Sequence, residues 1–417
     1  MSSSSASDSE DEAAFGRLVN ITAADLVALG SRIRELVSEA KTSNGCLVET
    51  FSGSFNLVHI LQLDKAKMVI RNPISGQFGD LSGPSKEALE SEVQTINYIQ
   101  EHTSIPVPEV FHFDTTANNE IGAPCIAVSY ISGRTVSRLW FDAARRETAK
   151  YLEAARASHV AAQQTALRQS RFVDRKLPRR RSRPRPLLLM ELGGGWNAQC
   201  CSLGSVLNNN TFLKRFWAPT NDKSPYAVGA TKLLEEMLPL LPHSSEYVLA
   251  LPDFDPQNVM ADGEGNITGL IDWNNVQTVP GFIGCLRYPG WITRDWDPLM
   301  YGWPESSENS PEELQKYRAY CLYEMKQALK PQDRDECRLT EKSHIFEAFW
   351  IAVSNVGNRT SICQKLVEEA KRRLDKKATP DGLDQYALNI LYGISAGKLE
   401  DEDSKGLRKG LQALMTL

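Results

Sequence analysis

The sequence lacks several features that would assign it to a common class of protein. It has no run of about 18 apolar residues, the length that a helix needs to cross a membrane. Its eight cysteines include no Cys-x-x-Cys spacing, which argues against a zinc site and against the disulfide framework of a small secreted domain. The net charge is −5, so charge gives no reason to expect nucleic acid as the main partner. We therefore expect no membrane span, and we regard nucleic-acid binding as the weaker hypothesis.

The N-terminus also lacks the basic and apolar residues of a targeting peptide. Residues 1–12 are mainly serine and acidic residues, the opposite of a signal or transit sequence. We expect residues 1–20 to form a disordered acidic tail and the protein to be cytoplasmic. The chain of 417 residues is 41% apolar and 24% charged, which is typical of a globular protein. Its length exceeds the usual size of a single hydrophobic core, so we expect two lobes or domains.

Two short apolar strands, each followed by an acidic turn, carry the clearest chemistry. Residues 248–251 precede a turn in which Asp253 and Asn258 lie five residues apart, and the strand at 267–271 ends at Asp272. Phosphoryl transfer needs a carboxylate that accepts the hydroxyl proton, with an amide and a second carboxylate that hold Mg²⁺ on the phosphates. Protein kinases place such residues at this spacing. The alternative is a solvated hairpin rich in Asp and Asn, which turn chemistry alone would favour.

The N-terminal part of the sequence predicts a small sheet with two helices, one before the first strand and one after the third. Helical spacing over residues 22–40 predicts a helix capped by Thr22, with an apolar stripe of Leu26, Leu29, Ile33, Leu36 and Val37. Strands are predicted at 46–50, 57–63 and 68–71. A second helix is predicted over 84–102, followed by strands at 109–113 and 125–131. Ser132-Gly133 would be the crossing to the second lobe.

Three features of this region could contact a nucleotide. The turn Gly53-Ser54-Phe55-Asn56 could bring backbone amides over a triphosphate, although an ordinary hairpin turn explains it as well. Arg71 ends a strand where a kinase-like fold places a phosphate-gripping cation, and the alternative is an exposed arginine on an edge strand. Glu92 lies beside the apolar stripe of the second helix and could anchor that cation. Glu87, Glu90 and Glu101 on the same helix remain alternatives.

Four segments, in the expected order, resemble fungal members of the aminoglycoside phosphotransferase family. This family is the small-molecule branch of the protein-kinase-like fold. The resemblance extends over residues 44–140 and 245–305 and includes a block at 287–298. The segments are Gly53-Ser54-Phe55-Asn56 with Val69-Ile70-Arg71-Asn72-Pro73, Ser91-Glu92-Val93 with Ile105-Pro106-Val107-Pro108, Val128-Ser129-Tyr130-Ile131-Ser132-Gly133, and Pro252-Asp253-Phe254-Asp255-Pro256-Gln257-Asn258 with Gly269-Leu270-Ile271-Asp272-Trp273.

The resemblance implies a fold and an activity. The expected fold is α+β and two-lobed, with a small antiparallel-sheet lobe that binds the nucleotide over residues 21–130. A larger, mainly helical lobe over residues 131–417 would hold the catalytic hairpin at 248–282. The implied activity is ATP-dependent phosphotransfer to a hydroxyl group of a small-molecule substrate, with ATP and Mg²⁺ as cofactors.

The resemblance also implies roles by position. Asp253 matches the catalytic aspartate, and Asn258 and Asp272 match the metal ligands. Arg71 and Glu92 match the phosphate-gripping cation and its helix partner. The remaining nucleotide contacts that the resemblance implies are Gly53, Ser54, Phe55, Asn56, Ser129 and Tyr130.

Two positions depart from the family pattern. Arg71 stands where other branches carry lysine, which keeps the charge but replaces a point cation with a planar fork. Leu251 stands where the family usually has a histidine that holds the catalytic loop through hydrogen bonds. Because leucine can only fill volume, we expect a looser loop and slower turnover. A pseudokinase-like protein that binds nucleotide without turnover is therefore the alternative function.

The middle of the chain does not fit this pattern. Residues 141–170 could be helical, and residues 171–186 combine eight basic residues with three prolines. The segment at 171–200 is interpretable as a basic arm, as a disordered insertion, or as an error in the gene structure. Beyond residue 304, helices are predicted at 311–329, 341–356, 362–374 and 383–394. The aromatic residues Trp291, Trp296, Tyr301 and Trp303 could line an acceptor pocket or pack in the core.

Overall fold

The computed structural model describes residues 13–39, 41–140, 213–242, 247–251, 253–274, 276–284, 287–328 and 337–417. The predictions for residues 1–12, for a helix at 141–170 and for the segment at 171–200 lie outside these residues. Residues 13–20 were expected in the acidic tail, and this boundary is wrong. Residues Gly16–Asn20 form a 3₁₀ helix, and Phe15 and Leu18 are buried in the core of the small lobe because they pack with its first helix.

A five-stranded antiparallel sheet with the order β1-β2-β3-β5-β4 forms the small lobe. Along β2 the buried residues alternate with half-buried ones, as expected for a strand with one face on a core. The predicted strands are all present, with ends that differ by at most two residues. The strands are β1 (Gly45–Ser52), β2 (Asn56–Leu63), β3 (Ala66–Pro73), β4 (Val110–Asp114) and β5 (Cys125–Ser129).

One helix covers each face of this sheet. Helix α1 (Ala23–Ser38) starts at Thr22, whose hydroxyl accepts from the backbone N–H of Asp25, as predicted. Cys125 and Ala127 of β5 share a core cluster with α1, whereas Ile126 and Val128 share one with helix α2 (Gly83–His102). Because successive strand residues face opposite sides, the two helices lie on opposite faces.

The predicted stripe of α1 is too long at its C-terminal end. Leu26, Leu29 and Ile33 are buried, but Leu36 and Val37 are exposed by 68% and 49%. The helix ends at Ser38, so its last turn extends past the edge of the core that the earlier residues fill. Periodicity predicts which face is apolar and not where the neighbouring layer stops.

The larger lobe is mainly helical. Its largest core cluster is built from residues of helices α4 and α6 to α9, with Phe346, Phe349 and Leu366 fully buried. Helices α4 and α9 were not predicted from the sequence. The helices of this lobe are α3 (Val136–Trp140), α4 (Pro225–Met237), α5 (Pro311–Ala328), α6 (Cys337–Ser354), α7 (Val356–Leu374), α8 (Pro380–Ala396) and α9 (Asp401–Met415).

Two small β structures lie within the larger lobe. A three-stranded sheet has the order β6-β8-β9, with β6 (Arg134–Thr135), β8 (Val259–Ala261) and β9 (Ile267–Leu270). A second pair joins β7 (Tyr247–Ala250) to β10 (Gln277–Pro280). The predicted turn between β8 and β9 is present, because the Asp262 carboxylate accepts from the backbone N–H groups of Glu264 and Asn266. Together these elements form the expected two-lobed, protein-kinase-like α+β fold.

Among the described residues, no single helix has the length and apolar character of a membrane span. One bent pair, Ala13–Asn20 and Ala23–Ser38, meets the length and composition criteria only when the two parts are combined across a 71° bend. Leu18, Leu26 and Ile33 of this pair are buried within the small lobe.

Candidate active site

Asp253 and Asn258 are held together by the turn that follows β7. The backbone N–H of Asn258 donates to the carbonyl of Asp255 at 3.0 Å and closes a 3₁₀ turn over Pro256–Asn258. Asn258 is buried, and its Nδ2 donates to the backbone carbonyl of Asp253 at 3.0 Å and to the Asp253 Oδ2 at 3.1 Å. Since Nδ2 contacts Asp253, Oδ1 is the amide atom left for a cation.

Asp272 reaches the same place through the hairpin of β8 and β9. The backbone N–H of Ile271 donates to the carbonyl of Asn258 at 2.9 Å, which places Asp272 directly beyond the asparagine. Asp272 has a φ of 59°, in the left-handed region that aspartate tolerates better than most residues. Its Oδ1 accepts from the Nδ2 of Asn274 at 2.6 Å, so the side chain has a fixed direction.

Arg71 joins the small lobe to this cluster. Its Nη2 contacts Glu92 Oε1 at 2.5 Å, and its Nη1 lies 3.9 Å from Asp272 Oδ1. The predicted contact between Arg71 and Glu92 is therefore present, and Glu90 instead lies 4.0 Å from Lys86. The edge-strand alternative for Arg71 is wrong, because β3 lies between β2 and β5. Burial opposes the charge of Arg71, but the Glu92 carboxylate outweighs it, so the pKa of Arg71 is raised.

The Asp253 carboxyl has a raised pKa. Burial is the largest cause, and a hydrogen bond with Asp255 and the negative charge of that second carboxylate raise it further. The hydrogen bond from Asn258 and the positive charge of Arg287 act in the opposite direction. A carboxylate whose proton affinity is increased in this way is suited to accept a proton from a hydroxyl group.

The other predicted nucleotide contacts lie on the sheet of the small lobe. The backbone N–H of Gly53 donates to the carbonyl of Asn56 at 2.9 Å and closes the β1–β2 turn, in which Ser54 and Phe55 are exposed. The hydroxyl of Ser129 accepts from the backbone N–H of Glu109 at 2.9 Å, so it already has a structural partner. The ring of Tyr130 lies under Lys67 Nζ at 4.8 Å. The roles of all these residues stay predictions.

The contacts of Arg287 and Glu347 beside the loop at residues 251–255 were not predicted from the sequence. Arg287 Nη2 donates to the backbone carbonyl of Leu251 at 2.5 Å, and its Nη1 donates to Glu347 Oε1 at 2.9 Å. Burial raises the pKa of Glu347, and the charge of Arg287 and a hydrogen bond from Thr293 oppose this. The available signal was that Glu347 is a charged residue within the apolar run from Phe346 to Phe349 of a predicted helix.

The aromatic residues near residue 300 have mixed environments. Trp291 and Trp296 are buried and belong to the core, as the packing alternative predicts. The Tyr301 hydroxyl donates to the carbonyl of Asn309 at 2.6 Å, and Trp303 is 41% exposed. Of the four, only Trp303 presents a largely open surface to a ligand.

The residues at this site fit a magnesium ion that phosphates help to hold. Asn258 Oδ1 and the Asp272 carboxylate are hard oxygen donors, which Mg²⁺ prefers, and Mg²⁺ in such sites takes its other ligands from phosphates and water. Within the described ranges, no group of three His, Cys, Asp or Glu side chains could hold a metal by itself.

Part of the chain matches the sequence model of a known family. Residues 77–280 match the model of the phosphotransferase enzyme family (APH), and the matched part contains Glu92, Asp253, Asn258 and Asp272. The match covers just under half of the chain, and three of the four segments that carry the resemblance lie within it.

Other similarities are shorter or weaker. A subtelomeric hrmA-associated cluster protein of Aspergillus fumigatus is 34% identical over 91 residues, which are 22% of this chain and 17% of that protein. The crystal structure of the aminoglycoside phosphotransferase APH(4)-Ia aligns at 13% identity and a TM-score of 0.43, over 91% of this chain and 100% of that one. An ethanolamine kinase of Plasmodium vivax aligns at 10% identity and a TM-score of 0.39, over 89% and 86%. TM-scores this low do not assign a fold, so the description of the fold is based on the strand order and helix arrangement given above.

Proposed function

We propose that the protein transfers the γ-phosphoryl group of ATP to a hydroxyl group of a small molecule, with Mg²⁺ as the required ion. The observation that carries this proposal is the convergence of three charged side chains from separate segments. Arg71 is anchored by Glu92 and lies 3.9 Å from Asp272. The backbone N–H of Ile271, the residue before Asp272, donates to the carbonyl of Asn258. The match of residues 77–280 to the model of the phosphotransferase enzyme family supports the same reaction.

The side chains divide the work of phosphoryl transfer. Asp253 orients the acceptor hydroxyl and takes its proton as the new O–P bond forms, and its raised pKa favours that step. Arg71 binds phosphate oxygens, and its planar fork allows one nitrogen to contact Glu92 while others face the nucleotide. Asn258 and Asp272 would hold Mg²⁺, which supplies positive charge to the phosphate oxygens when bound.

The nucleotide would lie against the small lobe. The turn at Gly53, Ser54, Phe55 and Asn56 would offer backbone N–H groups to the phosphates, and the end of β5 at Ser129 and Tyr130 would border the base. The exposure of Ser54 and Phe55 is consistent with a turn that closes over a ligand.

The proposal is tested by ADP release in the presence of amino alcohols, aminocyclitols, sugars and polyols, with mass spectrometry of the products. We expect wild-type protein to phosphorylate at least one such alcohol in a Mg²⁺-dependent reaction. Asp253→Asn should bind Mg-ATP but release no ADP above background, and Glu264→Gln in the exposed β8–β9 turn should match wild type. Equal turnover by Asp253→Asn and wild type would contradict the assigned mechanism.

A nucleotide-binding protein without turnover is the second candidate, and Leu251 is the observation that favours it. It predicts Mg-ATP binding with no ADP release on any acceptor. The hydrogen bond from Arg287 to the carbonyl of Leu251 weakens this reading, because the loop does not depend on packing alone.

A further inference from the structure

The segment at 287–293 holds the catalytic loop at residues 251–255 from one side. Arg287 donates to the carbonyl of Leu251 at 2.5 Å, and the backbone N–H of Gly290 donates to the carbonyl of Phe254 at 3.2 Å. The ring of Trp291 packs against Phe254 with centroids 5.8 Å apart. The loop that carries Asp253 is thus fixed on both sides of the aspartate.

Gly290 shows how closely the two segments approach. A Cβ atom at this position would lie 2.5 Å from Asp255 Oδ1, a distance that real side chains do not adopt. The obstructing atom is the end of the Asp255 side chain, so a side chain at position 290 would displace this carboxylate. The hydrogen bond from Gly290 to the carbonyl of Phe254 shows that the two backbones are in direct contact.

Arg287 is itself fixed by a buried acid. Its Nη1 contacts Glu347 Oε1 at 2.9 Å, and Thr293 Oγ1 lies 3.1 Å from Glu347 Oε2. The side chains of Arg287 and Glu347 are each 11% exposed. Hydrogen bonds from a charged donor in a site with little water are among the stronger ones in proteins. Glu347 lies on α6, whose residues Phe346 and Phe349 are part of the main core, so the contact connects the loop to the core of the larger lobe.

We propose that Arg287, anchored by Glu347, is a positioning residue for the catalytic loop and performs the holding that a histidine at position 251 would otherwise supply. This inference rests on the proposed phosphotransferase function. A histidine at position 251 would hold the loop through hydrogen bonds of its imidazole ring, whereas Arg287 holds the loop by donating to the backbone carbonyl of Leu251. The side chain at 251 is then free to be apolar, and Leu251 is buried in a cluster with Phe254 and Trp291.

A lysine at position 287 tests this idea because it keeps the charge but cannot reach two acceptors in one plane. We expect Arg287→Lys to lower kcat by about 10- to 100-fold, because small misplacements of a catalytic group have effects of this size. The KM for ATP should change by no more than about twofold, since Arg287 lies outside the proposed phosphate contacts. Glu347→Gln should show the same pattern with a smaller loss in kcat, because it keeps an acceptor for Arg287 and removes only the charge.

Arg318→Lys is the matched control. Arg318 is another buried arginine with a carboxylate partner, Asp295 at 2.6 Å, and it donates to the carbonyl of Ile292 at 2.7 Å. It makes a comparable ion pair but no contact with Leu251 among those described. Because Arg318 contacts the far end of the holding segment at Ile292, we expect its lysine variant to lose thermal stability but to lower kcat by much less than Arg287→Lys does. Equal losses of kcat in both lysine variants would show general destabilisation and overturn the proposal.

Hydrogen exchange provides a readout that needs no turnover. We expect the backbone amides of Phe254, Asp255, Gln257 and Asn258 to exchange faster in Arg287→Lys than in wild type and Arg318→Lys, because the loop opens more often. Unchanged exchange there would overturn the proposal whatever the activity. Failure of the proposed function gives a different result: wild-type protein releases no ADP on any alcohol. If Arg287→Lys does not fold, Glu347→Gln supplies the same comparison.

Discussion

At the scale of single residues, Asp253 depends on its neighbours for its chemistry. Burial and the neighbouring Asp255 favour its protonated form, whereas Asn258 and Arg287 favour the ionised carboxylate. A base must be ionised to take a proton, so the balance among these groups determines the lowest pH at which transfer is efficient. Under the proposed function, the acidic limb of the pH–rate profile reports the pKa of Asp253.

Asp255→Asn should move that acidic limb to lower pH. Removing a negative charge and a hydrogen-bond partner lowers the pKa of Asp253, so a larger fraction of Asp253 is ionised in mild acid. The measurement is kcat/KM against pH with saturating Mg²⁺. Glu264→Gln serves as a control because Glu264 is exposed in the nearby turn. An unchanged limb in Asp255→Asn would show that the coupling between the two carboxyl groups is absent.

Glu92 should matter for both stability and nucleotide binding. Glu92→Gln leaves the Arg71 guanidinium buried without its counter-charge, and breaking one partner of a buried ion pair costs about 3–5 kcal/mol. We expect a lower free energy of unfolding in urea and weaker Mg-ATP binding by calorimetry. Glu90→Gln on the same helix should change neither, because Glu90 makes only an exposed contact with Lys86. Equal effects of the two changes would count against an anchoring role for Glu92.

At the scale of elements, glycines determine how closely helices of the larger lobe pack. A Cβ at Gly410 of α9 would lie 2.5 Å from the carbonyl oxygen of Ala370 on α7, and a Cβ at Gly229 of α4 would lie 2.0 Å from that of Leu391 on α8. These contacts involve backbone atoms, which cannot turn away as a flexible side chain can. Both helix pairs therefore require glycine at the crossing.

Two glycines on α9 give a matched pair of variants. Gly410→Ala should destabilise the protein by several kcal/mol, because overpacking against a backbone forces α9 and α7 apart; costs of about 1–3 kcal/mol are typical even where side chains can adjust. Gly406 faces open space, so Gly406→Ala should stabilise it by about 0.5–1 kcal/mol through helix propensity. Chemical denaturation measures both. Stabilisation by both alanines would show that the helices are not in close contact.

The clarity of the sequence pattern decided which elements could be predicted. The strands of the small lobe and α1 and α2 have clear alternating or helical patterns, and they were predicted to within a few residues. Helices α4 and α9 were not predicted, and the close packing that requires Gly229 and Gly410 is visible only in three dimensions. In the site, the spacing of Asp253, Asn258 and Asp272 pointed to a shared location. Arg287 and Glu347 lie 60 residues apart, and a charged residue beside Phe346 did not indicate which partner it would contact.

At the scale of the whole molecule, the site depends on contributions from both lobes. Arg71 and Glu92 belong to the small lobe, and Asp253, Asn258 and Asp272 belong to the segment that begins at β7. The contact between Arg71 and Asp272 is 3.9 Å, longer than a hydrogen bond, and phosphates with their cation would lie beside it under the proposed function. Nucleotide binding should therefore stabilise the whole fold, because a ligand that binds only the folded state shifts the unfolding equilibrium.

The most direct test of the account is the thermal shift produced by Mg-ATP in wild type and in Asp272→Ala. Stabilisation should grow as RT ln(1 + [L]/Kd), which is about 2.7 kcal/mol at a ligand concentration of 100 Kd. We expect a Mg²⁺-dependent rise in Tm for wild type and for the control Glu264→Ala, and little or no rise for Asp272→Ala. Each variant is compared with itself without ligand, so its own stability cancels. An equal shift in Asp272→Ala, or none in wild type, would contradict a kinase-like nucleotide site at this position.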